Sequence, residues 1–146
     1  MRVKFRQYAS SDRDKCLTLF DRNCPEYFAP NERNDYEQFL DFNLAKYQLC
    51  EENNVVVGAF GMSQEQGRKG RVEWIMLDTN MQGSGIGTDV MDKLIVNAED
   101  AALESILIAT SHKTYRFFEK RGAVVVSQTE NGWGPSMHRV DMELIL

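Results

Sequence analysis

The sequence predicts one α/β domain, residues 1–146, built on a mixed β-sheet, and three observations carry that prediction. Short runs of alternating or β-branched residues recur along the chain, and two of them are joined by Glu52-Asn53-Asn54 as the arms of a hairpin would be. A strand-like run at 71–78 passes through a glycine-rich turn into a long amphipathic segment and then into a further strand-like run at 104–109, the order of a parallel crossover. A length of 146 residues suits one core, and 42% apolar with 27% charged residues is the composition of an ordinary globular protein.

Each element has its own signal. Residues 2–8 alternate apolar and polar side chains, as a half-buried strand does. Ser10-Ser11-Asp12 then offers capping oxygens for a helix over 12–22, where Cys16, Leu17 and Phe20 repeat at helical spacing until Cys24-Pro25 ends it. Asn34, with Glu37 three positions on, predicts the cap of a second helix whose Tyr36, Phe39, Leu40 and Leu44 share a face. Strands follow at 46–51 and 54–63, and Gly67-Arg68-Lys69-Gly70 turns the chain into the strand at 71–78. The remainder reads as helix 84–102, strand 104–109, helix 113–120, strand 122–128 and strand 136–145. Residues 129–135, Thr-Glu-Asn-Gly-Trp-Gly-Pro, are the most loop-like stretch and predict a movable rim with Trp133 at its tip.

Composition removes several function classes. No run approaches the roughly 20 apolar residues of a membrane helix, and the start lacks the apolar stretch of a secretory signal, so a cytoplasmic protein is expected. Cys16, Cys24 and Cys50 are odd in number and scattered, which suits reduced thiols. His112 and His138 stand far from every cysteine, so no metal is expected. With a net charge of -5 and no long Lys/Arg cluster, the chain lacks the electrostatic signature of nucleic-acid binding.

The informative stretch runs from Val72 to Thr88, a strand entering a turn with Gly83, Gly85 and Gly87 at alternate positions and then a helix. Glycine lets backbone amides approach a ligand closely, and the first amides of a helix point outward with the positive end of its dipole behind them, so such a turn suits phosphate oxygens. It is not a Walker loop, because no Gly-Lys-Ser/Thr follows, and the spacing is not Gly-x-Gly-x-x-Gly of dinucleotide folds.

Gln82-Gly83-Ser84-Gly85-Ile86-Gly87 closely resembles the pyrophosphate-binding motif of the GNAT acetyltransferase superfamily, Arg/Gln-x-x-Gly-x-Gly/Ala. The resemblance includes the preceding Ile75-x-Leu77-Asp78 and continues into Ser111-x-x-Thr114-x-x-Phe117-Phe118-Glu119-Lys120-Arg121-Gly122-Ala123, which looks like the superfamily's last conserved helix. It extends to the order of elements and so to nearly the whole chain. It implies a centrally splayed sheet flanked by helices, with acetyl-CoA as acyl donor and an amine as acceptor, and it admits a homodimer. Backbone amides of Gln82, Gly83, Ser84, Gly85, Ile86, Gly87 and Thr88 would hold the CoA pyrophosphate. Strand atoms of Ile75, Met76 and Leu77 would pair with pantetheine, while Ser111, Phe117 and Phe118 would lie along the arm and its thiol end.

Acetyl transfer needs a neutral amine, a polarised thioester carbonyl and a proton for the departing thiolate. The Leu77 amide is the expected donor to the carbonyl, and Glu73 the expected base, the alternative being an ordinary strand glutamate. The superfamily's general acid is a tyrosine where this chain has Phe118, which donates no proton. Tyr115, three residues earlier, can substitute from nearly the same helical face or be a packed aromatic, or the thiolate can depart unaided. His112, after a strand's carboxyl end, is a lesser candidate, and Lys113 and Arg116 are candidates for CoA phosphates. The acceptor would be shaped by about 20–40 and 127–137. Asp21, Glu26, Tyr27, Glu32, Asp35 and Tyr36 there suit a cationic amine such as a polyamine, an aminoglycoside or a lysine side chain. A non-catalytic CoA-binding regulatory module is the alternative function.

Overall fold

The computed structural model describes residues 3–42, 46–81 and 83–146. Leu44 of the second helix and Gln82 of the glycine motif therefore lie outside the described residues. Seven strands form one sheet: β1 (Lys4–Gln7), β2 (Lys46–Glu52), β3 (Val55–Glu65), β4 (Lys69–Leu77), β5 (Ser105–Ser111), β6 (Val124–Gly134) and β7 (Met137–Ile145). Their spatial order is β1-β2-β3-β4-β5-β7-β6, antiparallel throughout except for the parallel pair β4 and β5.

Among the described residues the α-helices are α1 (Arg13–Asn23), α2 (Glu32–Asp41), α3 (Ile86–Asp100) and α4 (Tyr115–Glu119). The alternation of apolar residues along the strands sends side chains to both faces, and each face meets its own helices. One core joins Ile86, Val90, Met91 and Leu94 of α3 and Phe118 of α4 to Val57, Phe60, Ile106 and Ile108 of the sheet. The other joins Cys16, Leu17, Leu19 and Phe20 of α1 and Tyr36 and Leu40 of α2 to Tyr47, Leu49, Ala59 and Met76. The hairpin at Asn53-Asn54 forms as expected, with both asparagines at positive φ (52° and 67°), the conformation of a two-residue turn matched to strand twist.

Three expectations are corrected. Residues 129–134 are not a loop: β6 continues to Gly134 and pairs with β7 across an irregularity between Thr129 and Gly134, so Trp133 lies on a hairpin arm and the turn falls at Pro135 and Ser136. Gly and Asn supply a local turn signal over 131–134, and the long antiparallel partner overrides it. Helix α2 starts at Glu32, ahead of Asn34, because the Glu32 carboxylate accepts the Ala29 N–H at 2.8 Å and so closes the preceding turn. Glu37 does not complete a capping box there; it accepts from Arg33 and Arg13. Asp12 likewise ties back to the Ala9 N–H and to Arg6 at the start of α1.

The feature that positions the site is the seam between β4 and β5. They pair only at Lys69 with Ser105, Gly70 with Ile106 and Arg71 with Leu107, and beyond that the strands part.

Candidate active site

Where β4 and β5 part, a cavity of about 850 Å³ opens. Val72–Leu77 of β4 line one side and Ala109, Thr110 and Ser111 of β5 the other. The same cavity runs to the glycine turn at one end and to Tyr27, Phe28 and Glu32 at the other.

β4 is bent to make this space. Opposite Phe60 of β3 stand two β4 residues, Trp74 and Ile75, because the register moves from Gly61–Glu73 to Ala59–Met76. Such a bulge turns a strand and increases its twist. Trp74 takes the positive φ (46°) that the bulge demands, and its carbonyl accepts the buried Tyr47 hydroxyl at 2.7 Å. Its indole packs among Phe20, Phe28, Tyr36 and Phe39. Beyond the bulge, Asp78 N–H donates to Val57 O. Bonded and non-bonded pairs alternate in an antiparallel ladder, so the Leu77 N–H and C=O face away from β3, on the side where β5 has left. The Leu77 carbonyl is taken by Asn23 Nδ2 at 2.9 Å.

The turn into α3 has the form its glycines imply. Gly83 and Gly85 have φ of 81° and 90°, and a Cβ on Gly83 would meet nothing within 4 Å, so its backbone lies open. Gly87 is small for a different reason: a Cβ there would stand 2.9 Å from Phe117 Cε1. Ser84 N–H and its hydroxyl both return to the Met81 carbonyl, whereas the opening amides of the 15-residue α3 have no helical partner, as at any helix start. Asp78 supports the turn, accepting the Asn80 N–H and pairing with Arg22.

The sequence candidates divide between those the cavity gathers and those it does not. Glu73, Ile75, Met76, Leu77, Gly83, Gly85, Gly87, Thr88, Ser111, Phe117 and Phe118 line it, although the Met76 side chain is buried in the α1/α2 core. Ile86 is buried in the α3 core, and Gln82 lies outside the described residues. Glu73 accepts the Ser63 hydroxyl at 2.9 Å. The Ser111 hydroxyl meets Thr114 Oγ1 and accepts the Lys113 N–H, a tight turn that leads into α4. Tyr115 is not among the lining residues; it packs on the α3 core with the Arg116 guanidinium 5.7 Å from its ring centre. His112 is also absent from the lining, its ring 4.5 Å from that of His138. Of the basic candidates Lys113 lines the cavity, and Lys120 joins it there.

Sequence reasoning missed Asn23, Lys120, Arg121 and the weight of Glu32. Arg121 donates to the Thr88 hydroxyl, which puts a guanidinium beside the opening of α3. Asn23 is a helix-end residue with nothing local to announce its long-range bond. Glu32 was one acid among several in sequence. In the fold it is 5% exposed, and burial pushes its carboxyl up to about 7 against the lowering effect of the Ala29 N–H.

Among the described residues no group of three His, Cys, Asp or Glu side chains converges to hold a metal ion, and no helix is long and apolar enough to cross a membrane.

The chain belongs to the acetyltransferase (GNAT) family, whose model matches residues 16–123. No curated protein sequence matches it. Among solved structures it is similar to one from Desulfovibrio desulfuricans assigned to the GNAT family, with a TM-score of 0.83 and 16% identity over 98% of each chain. It is also similar to yncA from Salmonella typhimurium, solved with its cofactor acetyl-CoA, with a TM-score of 0.76 and 14% identity over 100% of this chain and 95% of that one. A third is the ribosomal-protein-alanine N-acetyltransferase from Brucella melitensis, with a TM-score of 0.74 and 14% identity over 98% and 99%. At these identities the likeness is one of fold, and the mixed, splayed sheet is the GNAT fold.

Proposed function

We propose that this protein transfers the acetyl group of acetyl-CoA to a primary amine by direct attack within a ternary complex. The observation that carries the reading is continuity: one cavity joins the open glycine turn at the start of α3 to the parted edges of β4 and β5 and reaches the Glu73 carboxylate. The residues suit the donor on the ground of that shape. An anionic pyrophosphate fits a helix start with Arg121 beside it in a cavity that Lys113 and Lys120 also line, and an amide-bearing arm fits a strand edge whose own partner has left. Acetyl-CoA supplies the acyl thioester.

The chain's own residues then have distinct tasks. The Leu77 N–H is directed toward the gap and donates to a carbonyl oxygen there, with Asn23 fixing the same peptide unit from its carbonyl side. Glu73, steadied by Ser63, accepts a proton from the attacking amine, directly or through water. Phe117 closes against Gly87, and Trp133 donates its indole N–H to the Thr110 carbonyl at 2.8 Å, so the β5 side of the gap is walled against solvent. The free thiols Cys16, Cys24 and Cys50 support a reducing compartment such as the cytoplasm.

One observation favours a second reading, a non-catalytic CoA-binding module: Phe118 is a buried core residue and Tyr115 is not among the cavity's lining residues, so α4 brings it no phenol. Thiol release from acetyl-CoA with a panel of amines, run beside calorimetry with CoA alone, decides. Turnover establishes the transferase, binding without turnover of any amine favours the module, and absence of CoA binding overturns both.

A further inference from the structure

We infer that Glu32 is the counter-ion of the acceptor, and that the acceptor is a small primary amine carrying one positive charge on an apolar body. This rests on the transferase reading and names the substrate class for the same cavity.

Glu32 is a carboxylate 5% exposed that lines the cavity at the end opposite the glycine turn. Its hydrogen bond among the described residues is the Ala29 N–H at 2.8 Å, and no ion pair among them neutralises it. The arginines nearby in sequence are committed elsewhere: Arg33 to Asp21 and Glu37, Arg22 to Asp78, Arg13 to Glu37 and Asp41. A buried carboxylate without a cation is costly to the fold unless a cation arrives. The other titratable groups around it supply none. Asp35 lies one turn on along α2, Cys24 and Tyr27 stand on the segment between α1 and α2, and Glu73 faces the cavity from β4. Lys113 and Lys120 also line the cavity, and among the described residues neither forms an ion pair with Glu32.

The walls at this end define the rest of the ligand. Phe28 stacks on Trp74 with ring centres 6.1 Å apart, and both line the cavity with Tyr27, a surface for a ring or alkyl body. One buried carboxylate balances one ammonium, whereas a polyamine or aminoglycoside would bring further cations against aromatic walls. The end is also roofed. Asn31 Nδ2 donates to the Trp133 carbonyl at 2.9 Å, and a Cβ on Gly134 would lie 2.3 Å from Asn31 Oδ1 and 2.9 Å from Ala29 Cβ. The β6–β7 hairpin thus sits directly on the segment leading into α2, which narrows this end against a polypeptide. Ammonium is the prevailing form of an amine at neutral pH, so Glu32 gathers the acceptor in that form. The ammonium gives one proton to Glu73 to become the neutral nucleophile, and the second proton it loses on forming the amide goes to the departing thiolate.

The test compares 2-phenylethylamine, spermidine and a tetrapeptide with a free N-terminal alanine as acceptors, for the wild type and for Glu32→Gln, which keeps an oxygen for the Ala29 N–H. We expect kcat/KM for 2-phenylethylamine to exceed the other two by about 10-fold or more. In Glu32→Gln its KM rises about 10-fold or more with kcat nearly kept, as befits loss of a charged contact, while acetyl-CoA affinity by calorimetry is unchanged. In the wild type 1/KM for this amine rises with pH as Glu32 ionises, through about pH 7, and in the variant that rise is gone. Because folding raises this acid's pKa, the protein loses stability as pH climbs from about 4.5 through 7, and the glutamine removes that loss. The variant therefore melts higher than the wild type at pH 8, a result that a merely structural glutamate would reverse. Equal or better use of spermidine or the peptide, no use of 2-phenylethylamine, or an unchanged KM in Glu32→Gln overturns the inference in a protein that binds acetyl-CoA. A wild type that does not bind acetyl-CoA fails the transferase reading itself and takes this inference with it.

Discussion

The Tyr47 hydroxyl donates to the Trp74 carbonyl at 2.7 Å, and through that bond a fully buried side chain on β2 holds the bulge of β4. The same hydroxyl lies 2.8 Å from that of Tyr36, so a strand, a helix and the bulge share one buried polar chain. Trp74 is at positive φ, a conformation that costs a residue with a Cβ about 1–2 kcal/mol, and the hydroxyl offsets part of that cost. Tyr47→Phe leaves the Trp74 carbonyl without its partner. It should destabilise the protein by about 1–3 kcal/mol in urea unfolding and weaken acetyl-CoA binding by relaxing the bulge. Stability equal to that of the wild type would contradict the anchor.

Gly85→Glu places a carboxylate and a strained backbone in the phosphate turn, at φ 90°. Acetyl-CoA binding should fall below detection in calorimetry. Gly67→Ala is the control, since Gly67 has a similar φ of 75° in the β3–β4 turn with open space around it. It should lose about 1 kcal/mol of stability and keep acetyl-CoA affinity.

Glu73→Gln retains the contact with Ser63 while removing the proposed proton acceptor. The expected result is a fall in kcat of about 100-fold or more with a flattened rise of kcat with pH. An unaltered pH profile removes Glu73 from the chemistry.

Asp12 is held well below the usual carboxylate range, at about 2, chiefly by the bidentate Arg6 guanidinium, whose two nitrogens each stand 2.8 Å from an oxygen. A carboxylate whose folded pKa is depressed adds stability above its unfolded pKa and loses it as pH falls toward the folded one. Asp12→Asn should therefore cost about 2 kcal/mol at pH 7, and the two proteins should converge in stability between about pH 4 and 2. A gap that persists at pH 2 would show that the Arg6 pair is not its source.

What the sequence disclosed was whatever local chemistry decides. The turn at Gly83 and Gly85 is legible because positive φ selects glycine, and the strands are legible because two-residue alternation matches a sheet with a core on each face. The bulge was hidden: nothing in tryptophan favours positive φ, and Trp74 adopts it because Tyr47 and four aromatic rings, all distant in sequence, make that the better packing. The strand through 129–134 was hidden for a similar reason, its Asn and Gly signals yielding to β7 and to the Trp133–Thr110 bond. Glu32 was visible as an acid, but whether an acid sits in water or in an aromatic pocket is decided by which helix end closes over it.

Only three residue pairs join β4 to β5, so the two halves of the sheet are fastened to one another by the shortest ladder at its centre. A ligand lying in the parted region bridges them and adds its binding energy to the folding equilibrium. At a concentration 100 times its dissociation constant that is about 2.7 kcal/mol, a sizeable fraction of a small domain's whole stability. Abundance of the folded protein would then follow the supply of acyl donor: a cell short of it would hold a looser, more readily degraded enzyme before any catalytic regulation came into play.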